Sequence, residues 1–171
     1  MGIFSKDIKT LDDAFRQTLR TTYYAEKQIS QTLPKMARMA AAPELGQAFE
    51  AHLRETEGQI RRLERVFQMH GMQPEESNCP AIDGIIEAGN SMAKDIDDQQ
   101  VLDAVLASAA QMVEHYEIAQ YGTLIAWAKQ LGRSDCARVL EETLAEEKAT
   151  DEKLTRLAES KLNPAPQHEP V

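Results

Sequence analysis

The sequence lacks the features that mark membrane, secreted and nucleic-acid-binding proteins. No run approaches the roughly 20 consecutive apolar residues that a membrane-spanning helix needs. The two cysteines, Cys79 and Cys136, have neither CxxC spacing nor a nearby histidine cluster, which predicts free thiols in a reducing cytoplasm rather than a disulfide framework. The formal net charge of -9 argues against nucleic acid as a partner, because phosphate binding needs a clustered positive surface.

Aromatic residues are also scarce, at 5%, and there are few β-branched runs, which argues against an all-β fold. What is present is typical of a soluble globular protein, with 42% hydrophobic and 27% charged residues. A length of 171 residues suffices for one domain with a substantial core.

Apolar residues recur at three- and four-residue spacing in four long stretches, which predicts four long helices. Pro34 lies inside the first and predicts a kink or an early end there. Gly132 is suited to end the third. The predicted helices cover about residues 7–40, from after the segment AAPEL to about residue 70, about 99–131 and about 134–160.

The segment between the second and third long helices is less regular, and it predicts one short helix, AIDGIIEAGNSMA, that crosses between the two halves. Two long hairpins joined by such a crossover make a four-helix bundle. We therefore predict an all-α bundle over residues 1–162. The tail NPAPQHEPV, residues 163–171, is Pro-rich and polar and is predicted to be disordered.

The two halves resemble each other. Sliding the sequence by 91 residues places Glu26 on Glu117, Leu33 on Leu124 and Glu55 on Glu146. The acids are thus repeated together with the leucines, although amphipathic helices also match by chance.

Glu26 and Glu117 lie where a carboxylate is unexpected. On a helical wheel, Glu26 falls within about 45° of Phe15, in the same apolar stripe as Ile29. Glu117 falls within the buried face that Leu124 marks. A desolvated charge costs several kcal/mol unless it is paired, so both acids call for partners.

The second and fourth helices offer those partners near their apolar faces. Acids that converge from four helices repel one another unless they share protons or cations, and an oxygen-rich site suits two iron or manganese ions. In helix bundles such a site uses one Glu from each of two helices and Glu-x-x-His from each of the others. The candidates are His52, Glu55 and Gln59 on the second helix, and Glu146, Glu147 and Asp151 on the fourth.

Four segments, YYAEKQI, HLRETEGQI, VEHYEIAQYGTL and LAEEKATDEKLTRLA, resemble the YciE/YciF family of bacterial stress-associated proteins, in the ferritin-like superfamily. The resemblance covers about residues 7–160. It implies a ferritin-like four-helix bundle with a crossover, a dinuclear iron or manganese site and a homodimer. The reaction of the family is not settled.

The resemblance also implies particular ligands. Glu26 matches the single Glu of the first helix, and Glu114 with Glu117 resembles the Glu-x-x-Glu of rubrerythrin-type third helices. In the fourth helix the internal repeat selects Glu146. The seam position and the rubrerythrin-like spacing select Glu147, with Asp151 one turn on where a histidine would be. We favour Glu147 and keep Glu146.

The second helix departs from the superfamily pattern. Gly58 stands three residues after Glu55, where ferritin-like proteins usually have a ligand histidine. His52 lies one turn earlier and Gln59 one turn later. Without the ligand histidine, the resemblance gives less support for fast iron oxidation. A site made mainly of carboxylates favours harder cations, which supports manganese.

Two functional hypotheses follow. In the first, the acids hold two ions about 3.5–4 Å apart that react with dioxygen or peroxide, in a ferroxidase-like or peroxide-consuming role. Its substrate would be a small oxidant or a metal ion, with Glu55 and Glu146 or Glu147 bridging and Glu26 and Glu117 terminal. In the second, the chain is a non-enzymatic dimeric stress-response or interaction module whose acids pair with water, Lys or Arg.

Overall fold

The structure is a computed structural model that describes residues 8–165. Over this range the chain forms five α-helices and a final π-helical turn, and no β-strand. The elements are α1 (Leu11–Met39), α2 (Pro43–Met69), α3 (Pro80–Lys94), α4 (Gln99–Gln130), α5 (Ser134–Leu157) and the π-helical turn Ala158–Leu162.

The four long helices form a bundle. α1 packs along α2 and α4 packs along α5, so that each half is a helical hairpin. The halves meet through α2 against α5 and α1 against α4, while the short α3 lies against α4 and α1. The prediction of an all-α four-helix bundle with a crossover connection and one short extra helix is confirmed. None of the helices within residues 8–165 is long and apolar enough to cross a membrane.

The helix ends differ from the predicted ends for local reasons. α1 begins at Leu11 rather than near residue 7, because Thr10 and Asp13 form a capping box in which each side chain accepts the other's backbone N–H. Of the two effects expected at Pro34, a kink or an early end, the early end does not occur, since α1 continues to Met39, close to the predicted end near residue 40. α2 begins at Pro43, inside the segment AAPEL, because proline suits the first helical turn.

The C-terminal end of the bundle also differs. α5 ends at Leu157, and the chain continues as the π-helical turn rather than as α-helix to residue 160. Ala158 and Leu162 of this turn are buried. Of the predicted disordered tail, residues 163–165 form a turn against the end of the bundle, and residues 166–171 lie outside the described residues.

The bundle interior has three layers along its length. One apolar cluster occupies the end where Phe15, Phe67 and Leu140 meet. A second occupies the other end, around Leu33 and Phe49. Each long helix passes from one cluster to the other and carries a buried polar or charged residue between them. The layer between the clusters contains Glu26 of α1, His52 of α2, Glu114 and Glu117 of α4, and Glu147 of α5.

Asp103 of α4 secures the turn between α1 and α2. Its carboxylate accepts hydrogen bonds from the backbone N–H of Ala41 at 2.8 Å and of Ala42 at 2.7 Å. Ala42 precedes α2 and offers no side chain to cap it. Asp103 is buried. Its carboxylate takes the place of an N-cap side chain, because it accepts hydrogen bonds from backbone N–H groups that would otherwise lack an acceptor.

We predict that Asp103→Ala lowers the free energy of unfolding by about 1–3 kcal/mol, because hydrogen bonds to a charged group are lost and two N–H groups lose their acceptor. Urea denaturation followed by far-UV circular dichroism measures the change. Asp97→Ala is the matched control, since Asp97 is exposed and accepts no hydrogen bond from the described residues. Equal effects of the two substitutions would contradict the anchoring role.

Candidate metal centre

The polar layer brings five side chains from four helices together. Ligand atoms of His52, Glu114, Glu117 and Glu147 all lie within 4.8 Å of one another. Glu26 approaches from α1, where burial and then the charges of Glu147 and Glu26 raise the pKa of Glu117. All five are at most 3% exposed. The prediction that Glu26 and Glu117 lie on buried faces of their helices is confirmed.

The cluster has few hydrogen-bond partners. Both carboxylate oxygens of Glu114, Glu117 and Glu147 and both ring nitrogens of His52 are buried without an aligned partner. His52 Nδ1 lies 3.1 Å from Glu114 Oε1, but the two atoms do not align as a hydrogen bond. Buried polar groups are nearly always hydrogen-bonded. The carboxyl groups of this layer must therefore share either protons or bound cations.

The pKa values of the cluster agree with the sharing of protons or cations. Burial, followed by the charge of Glu147, raises the pKa of Glu114 to about 11, and burial raises the pKa of Glu147 to about 7. The pKa values of Glu26 and Glu117 are raised well above the usual range by burial and then by the charge of Glu147. Burial lowers the pKa of His52 to about 4, so its imidazole is neutral at neutral pH.

Tyr121 supports the cluster from α4. Its hydroxyl donates a hydrogen bond to Glu26 Oε1, and the ring is completely buried. From the sequence, the four tyrosines lie near the acids either as hydrogen-bond donors or as packing residues, and of these Tyr121 donates to the cluster. The available signal is its position four residues after Glu117, on the same buried face. The other three tyrosines donate to or contact groups outside the cluster: Tyr23 meets Glu64, Tyr24 meets Asp83 and Tyr116 meets Cys79.

Glu146 and Glu147 point to different surroundings. Both oxygens of Glu146 accept hydrogen bonds from the guanidinium of Arg62, and one also accepts from Gln59 Nε2 at 3.2 Å. Glu147 faces the cluster. The sequence offered no reason to single out Arg62, which binds the acid that faces away. Gln59 is buried beside the cluster, and its Oε1 lacks a partner.

The remaining predicted ligands lie outside the cluster. Glu55 is exposed and accepts a hydrogen bond from Thr150 Oγ1 at 3.2 Å. Asp151 is partly buried and contacts His115 Nε2 at 3.2 Å. The structure therefore brings Glu26, His52, Glu114, Glu117 and Glu147 together, and it does not bring Glu55, Glu146 or Asp151 to the same place.

The internal repeat explains why Glu55 and Glu146 are misleading candidates. The same 91-residue shift places His52 on Thr143 and Thr56 on Glu147. All four of these side chains are buried. The two halves thus keep equivalent inward positions but fill them differently, with a ligand-type residue in one half and a threonine in the other.

The donor set fits a hard or borderline divalent cation. Four carboxyl groups and one neutral imidazole are available, and iron and manganese both accept this mixture. A cation would also replace the missing hydrogen-bond partners of the buried oxygens. The residues present therefore fit the metal that the sequence predicts.

Comparison with known proteins places the chain in a family. The fold and site define a four-helix bundle with a buried Glu and His cluster. Residues 10–165 match the family model described as a domain of unknown function, DUF892, and the chain belongs to that family. It is 47% identical to the YciF protein of Escherichia coli K12 over 158 residues, which are 92% of this chain and 95% of that protein. The YciE/YciF resemblance is confirmed.

Solved structures agree. YcfI of Rhodopseudomonas palustris, described as a candidate structural protein, superposes with a TM-score of 0.88 at 50% identity, covering 90% of this chain and 98% of that one. The Escherichia coli stress protein YciF superposes with a TM-score of 0.87 at 47% identity, covering 91% and 99%. A protein of Xanthomonas campestris shares the fold alone, with a TM-score of 0.69 at 22% identity, covering 88% and 91%.

We predict that the metal-free protein loses stability as the pH rises from about 6.5 toward 9. A carboxyl group with a pKa raised by folding contributes fully below its unfolded pKa, and this contribution is lost as the pH rises through the folded pKa. Glu114, whose pKa is about 11, causes a loss of stability across this whole pH range. Glu147, whose pKa is about 7, contributes to the loss in the lower part of the range. His52 has the opposite effect, because its contribution to stability is lost as the pH falls from 6.5 to about 4.

Thermal unfolding of chelator-treated protein at successive pH values tests this dependence. Glu114→Gln should flatten the profile by at most about 1.4 kcal/mol per pH unit, because one titrating group is removed. Glu57→Gln, an exposed acid on α2, should leave the slope unchanged. A stability that does not fall above pH 6.5 in the wild-type protein would contradict the raised pKa values.

Proposed function

We propose that this chain is a dinuclear-metal carboxylate protein that holds iron or manganese and acts on peroxide, dioxygen or ferrous iron in stress protection. The observation that carries the proposal is the layer of buried carboxylates without hydrogen-bond partners. A bound pair of these ions supplies one-electron redox chemistry at the centre of the bundle.

In this proposal the ligands come from all four long helices. Glu26, Glu117 and Glu147 contribute carboxylates, and Glu114 and His52 face each other across the same space. Tyr121 holds one oxygen of Glu26 and so leaves the other free to bind. Glu55 and Glu146 are not assigned as bridging ligands, because one is exposed and the other is held by Arg62.

The relatives support the physiological part of the proposal. The YciF protein of Escherichia coli is described as a stress protein, and this chain covers nearly all of it. We extend that setting to this chain, with a cytoplasmic location and a homodimer as further parts of the proposal. A small molecule or ion is the expected substrate, because the polar layer is enclosed by two apolar clusters.

We predict about two iron or manganese ions per chain in protein purified without chelator or affinity tag. Elemental analysis measures the content. The double variant Glu26→Gln and Glu117→Gln should lose the metal while far-UV circular dichroism shows unchanged helicity, since glutamine keeps the side-chain volume and removes the charge. The double variant Glu57→Gln and Glu87→Gln is the control, because both acids are exposed.

We predict a sharp difference between the two adjacent glutamates of α5. Glu147→Gln should weaken manganese binding by at least about tenfold, equivalent to 1.4 kcal/mol, because a buried carboxylate facing the cluster is removed. Glu146→Gln should leave binding within about threefold, since its carboxylate is bound to Arg62. Titration calorimetry with Mn²⁺ on apo-protein gives both constants. The reverse order would assign the site to the Glu146 register.

A second candidate function is a structural or interaction module. The raised pKa values favour it, because protonated carboxyl pairs can stay buried without metal. The description of YcfI from Rhodopseudomonas palustris as a candidate structural protein points the same way. Protein that holds no metal after anaerobic loading with both ions would overturn the dinuclear proposal in favour of this function.

A further inference from the structure

A groove in the surface of the bundle is lined in part by residues of the polar layer. It lies between α1, α3 and α4 and has about 580 Å³ of empty space, including the part open to solvent. His52 and Glu114 form part of its wall. These two side chains are at most 3% exposed, and their polar atoms lack hydrogen-bond partners.

The wall of this groove is mostly aliphatic. Among residues 8–165, Glu114 is the only carboxyl group that lines it, and neither Lys nor Arg does. An anionic group at the inner end would therefore find no cationic side chain among the lining residues. An apolar chain would lose no hydrogen bonds on entry and would gain from desolvation. The aliphatic side chains are Ile29, Leu33, Met36, Ile86, Leu106 and Val113.

α3 covers the groove and is lightly packed. Only Ile82 and Ala93 of this helix are buried. Gly89 brings α3 close to α4, since a Cβ at this position would lie 3.0 Å from the Cβ of Ala109. Toward α1, the Nζ of Lys35 donates a hydrogen bond to Asn90 Oδ1 at 3.0 Å. The cover therefore rests on a small buried area and on two surface hydrogen bonds to α1, the second from the hydroxyl of Tyr24 to Asp83 Oδ1 at 2.9 Å.

We propose that this groove binds a straight, uncharged alkyl chain whose small neutral polar end, such as a hydroxyl group, reaches His52 and Glu114. A hydroxyl group both donates and accepts, which matches a carboxyl group and an imidazole without partners. The alkyl chain occupies the aliphatic part under α3. The inference rests on the proposed function only in assigning this ligand to the metal centre, and the groove itself is independent of bound metal.

The aliphatic wall also bears on what enters by this route. Hydrogen peroxide and ferrous ions are strongly hydrated, and the groove offers few groups to replace their water. An alkyl chain instead removes apolar surface from water at about 25 cal/mol per Å². The groove thus favours an apolar ligand, and it does not itself account for how peroxide or ferrous ions reach the polar layer.

Methionine methyl groups report on binding, because they lie both inside and outside the groove. We would label the methionines with ¹³C-methyl groups and titrate metal-free protein with 1-decanol. The resonances of Met36 and Met39, which line the groove, should shift and saturate. Those of Met69 and Met72, at the opposite apolar cluster, should not move. Equal shifts of all four, or none, would overturn the proposal.

Matched variants on α3 test whether the groove itself holds the alcohol. Ala93→Leu fills the groove from its buried side and should weaken the binding of 1-decanol by roughly tenfold or more. Ala88→Leu makes the same change on the exposed side of α3 and should leave binding unchanged. Ile86→Phe, at a half-buried lining position, provides a second filling variant should Ala93→Leu unfold. Binding that is unaffected in the folded filling variants would overturn the proposal.

Manganese titration of the same wild-type sample separates this proposal from the proposed function. Saturable shifts of Met36 and Met39 in protein that binds neither manganese nor, under anaerobic conditions, ferrous ions would support the groove and overturn the metal centre. Manganese binding without these shifts would support the metal centre and overturn the groove.

Discussion

The structure depends on a layer of carboxylates buried between two apolar clusters. Carboxyl groups of Glu26, Glu114, Glu117 and Glu147 meet where the four long helices pass one another. Isolated charges at such a depth are strongly unfavourable, so the layer must share protons or cations. The apolar clusters on either side supply the stability that lets this layer remain inside the bundle.

This arrangement explains how the surrounding polar groups are organised. Tyr121 binds one oxygen of Glu26, and Arg62 binds the carboxylate of Glu146 at the edge. The neighbouring acids of α5 therefore have opposite roles, one inside the cluster and the other neutralised beside it. A carboxylate with a fixed cation partner has less to gain from a metal ion than one without any partner.

The crossover gives the bundle an additional feature. α3 fills the space beside α1 and α4 incompletely, and an aliphatic groove remains that reaches His52 and Glu114. A four-helix bundle does not need this helix for its own hydrogen bonds, since each long helix satisfies its backbone internally. α3 contributes Ile82 and Ala93 to one apolar cluster and also covers this groove.

The sequence alone determined the all-α bundle, the short crossover helix and the burial of Glu26 and Glu117, because apolar periodicity reports which face of a helix is buried. It did not determine the start of α2, which proline and the distant Asp103 set together. Nor did it decide between Glu146 and Glu147 or exclude Glu55. Adjacent positions near a helix seam differ by about 100° in direction, so only the packing of α5 against α2 decided which carboxylate faces Arg62 and which faces the cluster.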